Sequence, residues 1–186
     1  MTTHKRPQPH EYAPFYAPYV AKAKHQDFQK SLIDLRSQTI KLVSDLTEAQ
    51  WNYRYAPEKW SIKEVLLHLL DCERIFAYRA LRIARNDSTT LPGFEQDDYV
   101  PFCNAEQRTP ASIIVEYKAV RQATIHLFKN FSKKDFQRKG TASGFAVSVL
   151  GLGYIIVGHE MHHLAVLAER YFASAAMQNL SDTPQV

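Results

Sequence analysis

The stretch WSIKEVLLHL, residues 60–69, decides the fold class of this 186-residue chain. Ser61 and Glu64 have the spacing of a capping box, in which each side chain bonds the other residue's backbone N–H at a helix start. The apolar residues behind this cap recur every three or four positions, which predicts a helix that buries one face. The predicted inward stripe contains Val65, His68, Leu69, Cys72, Ile75, Phe76 and Arg79. A single buried face needs other elements to cover it, so the stretch favours a fold of several helices.

Three other segments have the same helical period. The first predicted helix runs from about residue 25 to 46, and the third begins at the N-cap Thr109, with Pro110 at its first position. The fourth runs from about residue 147 to 175 and is apolar almost all round, although glycines weaken its first half. No segment has the pattern of a strand, so we predict an all-α four-helix bundle.

Three segments lie outside the predicted helices. Residues 1–20 are rich in Pro and Tyr and predict an extended N-terminal arm, which we expect to pack along the outside of a bundle formed by residues 21–175. Residues 176–186 are polar and predict a C-terminal tail. The loop 86–108 between the second and third helices is long for a compact domain. Its mixture of aromatic and acidic residues favours an ordered segment that covers a site.

Charge and apolar patterns exclude several classes of protein. The formal net charge is +4 and the isoelectric point is near 9.0, but Lys and Arg are dispersed among acids, so nucleic-acid binding is not predicted. No apolar run approaches about 18 residues and the first residues are polar, so we expect a cytoplasmic protein without membrane contact. Cys72 and Cys103 lack CxxC spacing, which indicates two reduced thiols. Cys72 lies four residues after His68 and could face the same way, which would allow a role beside a metal, but it is interpreted as a small buried apolar residue outside the site.

Four histidines lie on two of the predicted helices. His159 and His163 are four residues apart, so they project from one helix face, and His68 lies on the inward stripe of the second helix. Three buried imidazoles are costly without partners, whereas one divalent cation can bind all three. We therefore predict a metal site made by His68, His159 and His163. His162 points about 100° away from His163 and is predicted to be exposed or to lie beside the site.

The stretch 60–69 and the sequence GHEMHHL at residues 158–164 resemble the DinB-like superfamily, also called YfiT-like. The resemblance implies an up-down-down-up four-helix bundle, commonly a homodimer, in which His68, His159 and His163 hold zinc, nickel or a similar ion. Characterised relatives include thiol transferases, in which the metal binds and activates a low-molecular-weight thiol. The resemblance therefore implies a metal-dependent enzyme, best assigned as a thiol-dependent S-transferase that acts on a small-molecule substrate.

The same histidines allow several functions. His159, Glu160 and His163 satisfy the H-E-x-x-H pattern of zincin peptidases, in which the glutamate is the general base. The extended pattern requires Gly and His where this chain has Val166 and Glu169, so a peptidase is disfavoured. The histidines would equally suit a metal-dependent hydrolase or a non-catalytic metal- or ligand-binding protein. A structural site normally has four protein ligands, and the three found here favour an open and catalytic ion.

Overall fold

The computed structural model describes residues 5–25 and 27–180, and most of them are helical. In chain order the α-helices are α1 Ala17–Lys22, α2 Phe28–Val43, α3 Glu48–Trp51, α4 Ile62–Ala84, α5 Gln96–Tyr99, α6 Pro110–Lys129, α7 Lys133–Gln137, α8 Val149–Val166 and α9 Ala175–Asn179. The strands are β1 Lys139–Ala142 and β2 Phe145–Ser148. Short 3-10 turns are at Pro9–Glu11, Pro14–Tyr16, Val100–Phe102 and Ala105–Gln107, and a π-helix prolongs α8 at Leu167–Phe172. Among these described residues, no helix has the length and apolar character needed to cross a membrane.

The long helices α2, α4, α6 and α8 form the predicted bundle, and its core shows their directions. Val43 at the C-terminus of α2 packs in the same apolar cluster as Val65 near the N-terminus of α4, so these helices run in opposite directions. Ile113 near the N-terminus of α6 and Leu167 just after α8 belong to this cluster as well. Helix α6 is therefore parallel to α4 and α8 is antiparallel to it, which is the up-down-down-up order. Because α4 and α6 are parallel, the chain must return along the bundle between them, and this explains the long loop.

The sequence signals at the helix starts are confirmed. The Ser61 N–H donates to Glu64 Oε2 at 2.6 Å and the Glu64 N–H donates to Ser61 Oγ at 3.2 Å, which completes the capping box of α4. Thr109 Oγ1 caps α6 by accepting a bond from the N–H of Ser112 at 3.2 Å. The helix ends are less well predicted: α2 is shorter at both ends than residues 25–46, and α8 begins only after strand β2.

The prediction that no segment forms a strand is wrong for residues 139–148. Strands β1 and β2 pair antiparallel, with Ala142 opposite Phe145. Ser143 and Gly144 make the turn with φ values of 53° and 80°, and positive φ at both central residues suits the twist of a two-residue hairpin. Each strand has four residues, which is too few for an alternating pattern to be recognised. The Ser-Gly pair is the signal that could have indicated the turn.

The N-terminal arm packs on α8, but it is not extended throughout. It contains two 3-10 turns and helix α1, and α1 lies against α8. A glycine of α8 allows this approach, because a Cβ at Gly158 would lie 1.8 Å from the carbonyl oxygen of Tyr19. The absence of a side chain at Gly158 therefore allows the arm to pack closely on α8. Residues 1–4 of the predicted arm and 181–186 of the predicted tail lie outside the described residues.

We expect the substitution Gly158→Ala to destabilise the protein by about 1–3 kcal/mol, the range for overpacked sites. Alanine is the better helix former by about 1 kcal/mol, but its methyl group cannot share the space of the Tyr19 carbonyl, so the arm must move. Urea unfolding measures the loss, and limited proteolysis shows whether the arm has left α8. Gly93→Ala is the matched control, because the nearest atom to a Cβ there, Ser143 Oγ, lies at 3.6 Å. Equal stability of the two variants would contradict the packing described.

Candidate metal centre

Three imidazoles meet in the interior between α4 and α8. His68 projects from α4, and His159 and His163 project from adjacent turns of α8. The Nε2 atom of His159 lies 3.0 Å from Nε2 of His68 and 3.2 Å from Nε2 of His163. The three ring centroids are 4.7 to 4.9 Å apart. The structure thus brings the three residues of the predicted site together, and we call them the histidine cluster.

The spacing of these nitrogen atoms suits a cation better than hydrogen bonds. A neutral imidazole Nε2 has either one proton or one lone pair, so the His159 nitrogen cannot form good hydrogen bonds with both neighbours. Two imidazoles bound to a tetrahedral zinc ion at about 2.0–2.1 Å have their nitrogens about 3.3 Å apart, close to the distances found. His68 and His159 are 5% and 4% exposed, where an unsatisfied polar atom is costly. The donor set therefore fits a divalent cation.

Burial keeps all three imidazoles neutral. It lowers the pKa of His68 to about 4. Burial, followed by repulsion from His68 and His162, lowers the pKa of His163 to about 3. Burial also lowers the pKa of His159 well below its usual value, with repulsion from the neighbouring histidines as a further cause. The neutral form is the one that binds a metal ion, so the cluster is ready to bind near neutral pH.

The metal-free protein should lose stability as the pH falls below about 6.5, the ordinary pKa of histidine. Between that pH and about 4 the unfolded chain takes up protons that the buried imidazoles do not, which lowers the free energy of unfolding by about 1.4 kcal/mol per pH unit for each imidazole. Urea unfolding at a series of pH values measures the slope. His163→Gln should reduce it, whereas His126→Gln, at an exposed position on α6, should leave it unchanged. A slope that is the same in both variants would contradict this account.

Aromatic rings surround the histidine cluster and fix its orientation. The ring of Trp60 lies 4.8 Å from that of His68. Tyr19 from the arm and Phe76 from α4 meet His159 edge-on, with centroids at 5.3 and 6.0 Å. These contacts limit the rotation of the imidazoles, so their nitrogens stay directed at one another.

Cys72 lies beside the histidine cluster. The structure confirms that it is buried and is a free thiol. Its Sγ atom is 3.6 Å from Nδ1 and 3.7 Å from Nε2 of His68. One ligand atom from each of His68, Cys72 and His159 lies within 4.8 Å of the others. The interpretation of Cys72 as a simple apolar residue is therefore incomplete, and its position four residues after His68 was the signal for this contact.

His162 lies next to the cluster without joining it. Its ring is 5.4 Å from the ring of Tyr19 and 5.1 Å from that of His163. The side chain is only half-buried, as expected from its direction on the helix. His162 therefore serves as a natural comparison for His159 and His163, the two members of the cluster on α8.

The carboxylate of Glu160 is bound in the core and is not available as a general base. Its Oε1 accepts bonds from Thr39 Oγ1 at 2.7 Å and from the Tyr117 hydroxyl at 2.5 Å, and its Oε2 accepts a bond from Arg121 at 2.6 Å. Arg121 also donates to both carboxylate oxygens of Glu73, at 2.9 and 2.7 Å. All five side chains are buried. The H-E-x-x-H pattern therefore has no catalytic glutamate in this fold, and sequence reasoning missed the network that holds it.

The long loop between α4 and α6 is ordered by contacts with the hairpin. The Leu91 N–H donates to the carbonyl oxygen of Thr141 at 2.9 Å. Arg79, which is 3% exposed, donates through Nη2 to the Pro92 carbonyl at 2.7 Å and to Ser143 Oγ at 3.1 Å. Together these bonds hold the loop against the bundle, so the prediction of an ordered loop is confirmed.

The histidine cluster borders two cavities. The larger has a volume of about 730 Å³ and is lined by loop residues 90–97 together with Cys72 and His159. The smaller, of about 480 Å³, is lined by residues that include His162 and His163. Residues of the cluster therefore line two cavities, and loop residues 90–97 cover the one beside His159, as predicted.

These features define a helical bundle with a buried histidine cluster that fits a metal ion. The family model described as the DinB superfamily matches residues 31–167. The chain therefore belongs to the DinB superfamily.

Two solved structures from Bacillus subtilis have the same fold. YfiT, described as "a probable metal-dependent hydrolase with an unusual four-helix bundle topology", has a TM-score of 0.69 and 14% identity, over 76% of this chain and 82% of YfiT. The DinB-like protein YjoA has a TM-score of 0.57 and 18% identity, over 86% of this chain and 94% of YjoA. No curated protein sequence matches the chain.

Proposed function

We propose that this protein is a divalent-metal-dependent enzyme that joins a low-molecular-weight thiol to a small electrophile. The observation that supports it most is the meeting of His68, His159 and His163 beside a cavity that His159 lines. Three histidine ligands leave coordination positions for a substrate, as in catalytic zinc sites. The thiol is suggested by the resemblance to the thiol transferases of the superfamily.

The three histidines would hold the cation, and zinc and nickel both accept imidazole ligands. The cation would supply Lewis acidity, which lowers the pKa of a bound thiol or water. The rings of Tyr19 and Phe76 pack against His159 and would hold its imidazole in place for the cation. A thiol that loses its proton there becomes the better nucleophile near neutral pH.

The two cavities support a reaction between two molecules. Phe76 and Phe94 give the larger cavity an apolar wall beside His159, and Glu95 and Asp97 also line it, which suits an electrophile without negative charge. The smaller cavity has Lys59 and Glu58 in its lining, which suits a polar thiol that carries charged groups. Each reactant would then approach the cluster from its own side, with the reacting atoms meeting at the imidazoles.

The second candidate function is a metal-dependent hydrolase, which the description of YfiT favours. If water were the nucleophile in place of the thiol, the reaction would have one organic substrate, and the larger cavity alone could hold it. A hydrolase of the zincin type has less support, because Glu160 is bound to Thr39, Tyr117 and Arg121. A non-catalytic metal- or ligand-binding protein is the third candidate.

Turnover by the zinc- or nickel-loaded protein tests the proposal. A panel of physiological thiols is incubated with an epoxide or an activated halide, and conjugate formation is compared with that of the metal-free protein and of His159→Ala. We expect conjugation that requires both metal and thiol. Cleavage of small esters or amides without a thiol would replace the proposal with a hydrolase, and metal binding without either activity would favour the non-catalytic protein.

We also propose that the protein is a homodimer, because the resemblance implies one. Light scattering after size exclusion gives the mass in solution directly. A species of 21.4 kDa, the mass of one chain, would contradict the dimer.

A further inference from the structure

We infer that Cys72 is a fourth protein ligand of the cation, so that the centre without substrate has three histidines and one cysteine. The inference rests on the proposed metal site and adds a residue to it. It changes the nature of the centre, because the position that faces the cavity is filled by the protein until a substrate replaces the sulfur.

The two helices offer matching pairs of ligands. On α8 the pair is His159 and His163, and on α4 it is His68 and Cys72, and the members of each pair are four positions apart. Such spacing places both side chains on one helix face, one turn apart. The facing pairs offer four donor groups, the number that a tetrahedral ion requires.

The sulfur lies close to the position that this geometry requires and can reach it by a small movement of the Cys72 side chain. In a tetrahedral site with about 2.3 Å to sulfur and about 2.0–2.1 Å to nitrogen, the sulfur and nitrogen atoms lie about 3.6 Å apart. Cys72 Sγ lies 3.7 Å from His68 Nε2, the required distance, and 3.6 Å from Nδ1, so the sulfur must turn away from Nδ1 as it binds the ion. The ligand atoms of His68, Cys72 and His159 all lie within 4.8 Å of one another.

The surroundings of Cys72 point to the same role. The residue is 1% exposed, yet it lines the larger cavity together with His159. Its thiol lies beside the two ring nitrogens of His68. Cys72 and His159 therefore both border the cavity from which an incoming ligand would approach.

Binding of Cys72 to the cation is a ligand exchange that changes no oxidation state, so it needs no oxidant or reductant. The thiol releases its proton to solvent as the sulfur–metal bond forms, and one metal-bound water leaves. An external thiol can then enter by the reverse exchange, in which Cys72 regains a proton. Binding of substrate thiol would thus depend on its competition with Cys72.

Cobalt absorption tests the inference without measuring turnover. Metal-free protein is titrated with Co²⁺ in the absence of any added thiol. We expect the wild-type protein to show a thiolate-to-cobalt charge-transfer band in the near ultraviolet. Cys72→Ser and Cys72→Ala should lack the band while still binding one equivalent of Co²⁺ through the three histidines, with an affinity lower by about 100-fold or more. Cys103→Ser, which changes the other free thiol, should keep the band.

The outcomes separate this inference from the proposed function. The role of Cys72 would be overturned if the wild-type protein bound one equivalent of Co²⁺ without showing the band. Loss of the band in Cys103→Ser would overturn it as well. If a band then appears on addition of a small thiol, the proposed thiol site stands alone. If Cys72→Ala binds cobalt and gains the band only with added thiol, both proposals are supported. Absence of cobalt binding in the wild-type protein would overturn both.

Discussion

Alanine at His159 or His163 should lower the metal content of the purified protein from about one ion per chain to none. Each change removes half of the pair on α8 and leaves His68 with a single imidazole partner. Removing even a residue that only orients a ligand costs about 10–100-fold in metal affinity, and removing a ligand itself should cost more. Elemental analysis of the purified variants measures the result, and circular dichroism shows whether the helices are retained.

His162→Ala is the matched control for this prediction. It removes the same kind of side chain from the same helix, but the half-buried His162 ring lies outside the cluster. This variant should keep its ion. If His162→Ala lost the metal while His163→Ala retained it, the face of α8 assigned to the site would be wrong.

The sequence predicted the bundle because its signals are local. The capping box of Ser61 and Glu64 needs only four residues, and the helical period is visible within a few turns. The spacing of His159 and His163 sets their common direction in the same way. The hairpin was missed because strands of four residues have too little pattern, and because pairing with Leu91 depends on a distant loop.

The chemistry around the cluster was less predictable because it depends on how the helices are rotated against one another. The contact of Cys72 with His68 lies within α4, but its closeness to His159 depends on the placement of α8. The network of Glu73, Arg121 and Glu160 joins three helices across 39 to 48 positions of sequence. No local pattern sets such partners. A charged residue on an inward helix face was the available signal, and it indicates burial without identifying the partner.

The stability of the protein should depend strongly on the buried network of Glu73, Arg121 and Glu160. Arg121 is 1% exposed and bridges Glu73 on α4 to Glu160 on α8, beside His159. We expect Arg121→Met to destabilise the protein by about 3–5 kcal/mol, because the two carboxylates are left buried without their cation. This is a large part of the about 5–15 kcal/mol that stabilises a typical domain. Urea unfolding gives the change directly.

Arg74→Met is the matched control, since Arg74 also joins α4 to α6 through an ion pair, with Glu116 at 2.6 Å. Its side chain is 47% exposed, so the pair should contribute only about 0–1 kcal/mol. Adding Glu73→Gln and Glu160→Gln to Arg121→Met should recover part of the lost stability, because the uncompensated charges are removed. If Arg121→Met cost no more than Arg74→Met, or if the two glutamines gave no recovery, the loss would not come from unpaired carboxylates in the core.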